Sequence, residues 1–145
     1  MSSSSSTTST RDSLIRLSYH PHPGFARISA NLSFVATILI VDPDPATRSL
    51  LELLILRLGH QPIGQRELSE GIEPDLMLLE PVSRAGMRLA SRLRDRMPRL
   101  PILCVSIDAP SVETRELSVA GYVMKPFRRL QLEHALEAAL APAST

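Results

Sequence analysis

From Ala36 onward, short apolar runs alternate with stretches whose apolar positions recur at helical spacing. "ATILIV" (36–41) reads as a strand rich in β-branched residues. "DPDPATRSLLELLILRLGH" then predicts a helix with both ends marked: Asp44 as N-cap, Pro45 at the first helical position and Gly59 as the stop. Leu50, Leu51, Leu54 and Leu58 are expected to supply its core face. A short strand "QPIG" and a polar stretch (65–73) follow, the latter with room for about two helical turns. In "PDLMLLEP" (74–81), Leu76, Met77, Leu78 and Leu79 read as a strand buried on both faces, and it ends in Glu80. A helix at 86–97, the strand "PILCVS" (101–106), a short helix at 111–118 and the strand "GYVMK" (121–125) come next. "RRLQLEHALEAALA" closes the pattern as an amphipathic helix with Leu130, Leu132, Leu136 and Leu140 among its apolar positions.

Five strands alternating with helices predict an α/β, doubly wound parallel sheet covered on both faces. Right-handed crossovers bring every strand's C-terminal end to one edge, where open sheets of this kind carry their sites. The residues arriving there are Asp42, Pro43 and Asp44 after the first strand, Glu80 after the third, Ser106 after the fourth and Lys125 after the fifth. Carboxylates, a hydroxyl and an ammonium meet at that edge, a set suited to oxyanion and phosphoryl chemistry.

Composition removes several classes of function. A chain of 145 residues, 43% hydrophobic and 21% charged, is one domain's worth of ordinary globular material. A net charge of +1 gives no reason to expect nucleic acid. Cys104, the single cysteine, excludes an internal disulfide framework and sits in an apolar run, where it reads as core. "LLELLILRL" is too short for a membrane span and carries Glu52 and Arg57, and no signal-peptide core follows the start, so a cytoplasmic protein is expected. Residues 1–35 read as an extension, disordered or weakly structured, with a Ser/Thr-rich start. His20 and His22 lack a further nearby ligand, and a metal is not expected on them. The domain is placed at 36–141, with a short tail at 142–145.

The blocks "ILIVDPDPATRSLLELLILRLGH", "PDLMLLEP", "PILCVS" and "GYVMKPF", in that order and at that spacing, resemble the response-regulator receiver domain of two-component signalling. The resemblance implies a flavodoxin-like sheet of strand order 2-1-3-4-5. It also implies that Asp42 corresponds to the first metal-binding acid, Ser106 to the strand-four hydroxyl, and Lys125–Pro126 to the lysine and its proline. Tyr122 falls on the aromatic position coupled to the switch.

Two central positions depart from that pattern. Glu80 stands where the family has its phosphoaccepting aspartate, and Pro43 where it has its second metal-binding acid. Mg²⁺ demands near-octahedral oxygen ligation, and Pro43 offers no side-chain oxygen. Glu80 moves its carboxylate outward by one methylene, about 1.5 Å, and a misplacement of about 1 Å can cost ~100-fold in rate. No catalytic residue is therefore expected, and any Mg²⁺ site at Asp42 is weakened. Lys125 nonetheless persists as the only lysine among sixteen basic residues, which points to a compact charge required at that place. Glu80 is expected to pair with Lys125 and approach Ser106 permanently.

The expectation is a stand-alone receiver-like signalling protein, not an enzyme. It acts through contact with a histidine kinase, a phosphotransfer protein or another regulator, without phosphorylation. The alternative is a phosphoaccepting regulator with Mg²⁺-dependent transfer through another acid such as Asp42. No membrane partner is expected, and oligomeric state is left open. The arginines at 84, 88, 92, 94, 96 and 99 read as a solvated helix face, with an acidic partner as the second reading.

Overall fold

A computed structural model of the chain describes residues 34–142. The expectations for the amino-terminal extension, including His20 and His22, and for the last three residues of the tail lie outside the described residues. Five strands, β1 (Thr37–Val41), β2 (Gln61–Ile63), β3 (Leu76–Leu79), β4 (Ile102–Ser106) and β5 (Gly121–Met124), form one sheet in the order β2-β1-β3-β4-β5. Every neighbouring pair is parallel. The helices are α1 (Pro45–Arg57), α2 (Gln65–Ser69), α3 (Arg84–Arg96), α4 (Val112–Glu116) and α5 (Arg129–Leu140).

Alternation along the strands divides the core into two layers. Ile38, Ile40, Leu76, Leu78, Leu103 and Val105 turn to the side where Leu51 and Ile55 of α1 and Leu132 and Leu136 of α5 pack. Leu39, Val41, Met77, Leu79, Ile102 and Cys104 turn the other way, onto Ala90 and Leu93 of α3, Leu117 after α4 and half-buried Leu68 of α2. β3 and β4 are buried at every position, which is why both read as unbroken apolar runs. Burial pushes the Cys104 thiol up to about 12, with the charge of Glu80 adding to it, so this cysteine is inert core.

Helix ends follow local chemistry. Asp44 caps α1 by accepting from the Thr47 N–H at 3.1 Å and the Thr47 hydroxyl at 2.6 Å, with Pro45 opening the helix. Gly59, at φ +90°, ends it in the left-handed region that a side chain disfavours. α3 starts two residues earlier than the pattern predicts, because the Ser83 hydroxyl accepts from the Gly86 N–H at 3.0 Å. α2 is short, Gln65–Ser69, within the polar stretch that had room for about two turns.

Two apolar positions differ from expectation. Leu50, assigned to the core face of α1, is 47% exposed, and Ile55 fills the core instead. Leu130 is 61% exposed on α5. Leucine occurs all around α1, so its spacing alone does not tell which stripe meets the sheet. Among the described residues no helix is long and apolar enough to cross a membrane.

Candidate functional site

The sheet ladder runs on past the strand ends and sets the site in register. The Glu80 N–H donates to the Val41 carbonyl at 2.9 Å, placing Glu80 beside Asp42. The Lys125 N–H donates to the Ser106 carbonyl at 2.8 Å, placing Lys125 beside the end of β4. Side chains 83 and 45 residues apart in sequence then meet: the Lys125 ammonium donates to Asp42 Oδ2 at 2.8 Å and to Glu80 Oε1 at 2.9 Å. The carboxylate side chains are only 3% and 5% exposed, and that of Lys125 15%. The cluster is a buried bridge of one cation between two anions.

The remaining carboxylate oxygens are also engaged. Asp42 Oδ1 accepts from the Asp44 N–H at 2.8 Å, and Glu80 Oε2 accepts from the Val82 N–H at 3.2 Å. Burial pushes the Glu80 carboxyl up, but hydrogen bonding by Ser106, Lys125 and the Val82 N–H outweighs it and holds it below its ordinary range. Burial likewise works against the Lys125 ammonium, and Asp42 and Glu80 together reverse the effect, raising its pKa. Glu80 and Lys125 therefore stabilise each other's charged forms.

Ser106 and Tyr122 act on the next turn of chain. The Ser106 hydroxyl accepts from the Asp108 N–H at 3.0 Å, and the Tyr122 hydroxyl donates to the Asp108 carbonyl at 2.7 Å. The peptide groups of Asp108 are thus tied down from both β4 and β5. Burial is the main cause of the raised Tyr122 pKa, keeping the phenol neutral.

The side chains of Pro43 and Asp44 stand outside the cluster. Both are exposed, and the Asp44 carboxylate is spent on capping α1. Exposed Pro126 follows Lys125 through a cis peptide bond. Sequence reasoning missed the Asp42–Lys125 contact, treating Asp42 as a metal ligand; convergence of the three strand ends was the available signal.

The donor set does not fit Mg²⁺. The ion needs about six oxygens at near-octahedral angles. Pro43 has no side-chain oxygen to give, and all four carboxylate oxygens of Asp42 and Glu80 already accept from N–H or ammonium groups. Lys125 holds both carboxylates that a metal would need. Among the described residues no three acidic, histidine or cysteine side chains are grouped to hold a metal.

Comparison with known proteins gives the fold a class. No protein-family model matches the chain. The positive alginate biosynthesis regulatory protein of Pseudomonas aeruginosa is 31% identical over 117 residues, covering 72% of this chain and 47% of that protein. The chain thus spans about half the length of this curated relative. A response regulator from Thermotoga maritima superposes with a TM-score of 0.65 at 16% identity, over 75% of this chain and 100% of that one. NtrX from Brucella abortus, in complex with ADP, gives 0.65 at 22% identity, over 74% of this chain and 26% of its own. The receiver domain of a sensor histidine kinase from Pseudomonas aeruginosa, with a magnesium ion coordinated in its active-site cleft, gives 0.64 at 20% identity, over 74% and 98%. The fold is that of the response-regulator receiver domain.

Proposed function

We propose that the chain is a receiver-like signalling module of two-component type that works by protein contact, without accepting a phosphoryl group and without catalysing a reaction. One observation carries this reading: the Lys125 ammonium bridges Asp42 and Glu80 inside the site. Phosphoryl transfer relies on a metal to neutralise charge and on a nucleophile in line with its donor. Here the lysine already supplies the positive charge, and both carboxylates are held by it. Glu80 extends its charge to Lys125 from the position where the family carries phosphate, so the site stays in one state. The Asp108 turn, pinned by Ser106 and Tyr122, stays fixed with it. The partner in this reading is a histidine kinase, a phosphotransfer protein or another regulator, met in the cytoplasm. The regulatory role carried in the name of the alginate relative supports a regulatory setting.

The test is incubation of the chain with Mg²⁺ and a radiolabelled small phosphodonor, with an active receiver domain alongside. The expected result is no hydroxylamine-sensitive label on this chain. Stable labelling at Asp42 or Glu80 overturns the reading.

A further inference from the structure

Charge on this chain is segregated in a way that the Glu80 site does not use. Residues 84–99 hold six arginines and one aspartate, a net +5, while the whole chain is only +1, so the rest is net −4. Arg94 is the structural member of the set. Its guanidinium donates to the carbonyls of Leu117 at 3.0 Å, Pro98 at 2.9 Å and Leu100 at 2.7 Å, tying α3 to the residue after α4. Arg84, Arg88 and Arg92 are exposed, and among the described residues none of them forms an ion pair. Their i, i+4, i+8 spacing lines them up along one edge of α3 over about 12 Å.

That edge is one wall of an open groove of about 660 Å³ between α3 and α4. Met87 and Leu117 contribute apolar lining, Asp95 is the one acid on the α3 wall, and Glu113 and Glu116 of α4 lie on the other side. Three guanidiniums along one wall fit a row of carboxylates, which arginine meets in fork geometry. The two glutamates select against a polyanion: a phosphate backbone laid here meets like charge on the second wall. A helix with carboxylates at i, i+4 and i+8, apolar residues beside them and basic residues beyond satisfies both walls and the apolar lining at once. Arg94 fixes the spacing of the walls before anything binds.

We propose that the groove between α3 and α4 docks an amphipathic helix of a partner protein, one that turns a row of acidic side chains toward Arg84, Arg88 and Arg92. The probe is a labelled synthetic helix of that design, compared with a scrambled peptide of equal composition and with a short DNA duplex, all by fluorescence anisotropy on the full chain. The patterned peptide is expected to bind at least about tenfold more tightly than either control. Arg88→Glu with Arg92→Glu is expected to weaken it by about tenfold or more, and a peptide with lysines replacing the glutamates to recover binding to that variant. Arg128→Glu with Arg129→Glu, on α5 and its cap, is expected to leave affinity within about twofold. Should the reversed variant lose its thermal transition, Arg88→Gln with Arg92→Gln takes its place, with the same weakening expected. No binding of the patterned peptide, equal binding of the scrambled one, tighter binding of DNA or an equal loss in the α5 variant overturns the proposal.

Discussion

Lys125 touches two carboxylates that water scarcely reaches, so its removal leaves like charges buried side by side. Stripping one partner from a buried ionic cluster costs about 3–5 kcal/mol. Lys125→Ala is therefore expected to lower unfolding free energy by roughly that amount in urea titrations. The pH dependence identifies the cause. Glu80 is held below its ordinary 4.5 in the folded chain, so its stabilisation is present above 4.5 and is lost as pH falls through the folded value. Lys125 is raised above 10.5, so its stabilisation is present below 10.5 and is lost as pH rises through the folded value. In Lys125→Ala the alkaline loss disappears, and the acid loss shrinks or reverses, since burial then dominates at Glu80. An unchanged pH profile counts against the bridge. The Glu80–Lys125 half of this cluster was legible because both residues end strands that a parallel sheet must align. The Asp42 half was not, since likeness to a metal-binding acid drew attention away from the nearer cation.

At the scale of elements, β1, β3 and β4 were readable because strands buried on both faces have no polar positions to break the run. α1 was readable because Asp44, Pro45 and Gly59 act locally. The start of α3 was less so, since the capping role of Ser83 depends on how Gly86 meets the sheet. A Cβ on Gly86 would lie 3.1 Å from Leu79 Cδ1, 3.2 Å from Val41 Cγ1 and 3.3 Å from Ser83 Cβ. These atoms belong to β1, β3 and the cap, so α3 owes its close seat to this glycine. Alanine favours helix by up to about 1 kcal/mol over glycine. Overpacking a filled core costs about 1–3 kcal/mol. Gly86→Ala is expected to be net destabilising by about 1 kcal/mol, measured by the urea midpoint. A gain in stability shows that α3 moves away freely. Arg94 lay beyond sequence reasoning for a related reason: its carbonyl partners include Leu117, 23 residues away.

For the whole molecule, alternation of strand and helix was enough to predict the layers and the edge where the site lies, while the state of the site depends on atoms at three strand ends that four crossovers bring together. Restoring the switch tests that dependence. Glu80→Asp draws the carboxylate back by about 1.5 Å and weakens its hold on Lys125. Asp42 still keeps the ammonium, and Pro43 still offers no side-chain oxygen, so this single change is expected to give neither Mg²⁺ binding nor labelling by a phosphodonor. Pro43→Asp alone adds an acid beside a lysine that remains clamped by Glu80, and the same negative result is expected. Together the two changes set three short carboxylates against one lysine. The excess negative charge then favours a divalent cation over the ammonium bridge, and the freed Lys125 and Ser106 are placed to meet a phosphoryl group. Mg²⁺ titration by calorimetry and phosphodonor labelling are expected to be positive for the double variant only. Strong labelling of Glu80→Asp alone shows instead that Asp44 leaves its cap on Thr47 to ligate the metal. A double variant that folds yet binds no Mg²⁺ shows that Lys125 outcompetes the ion even against three acids.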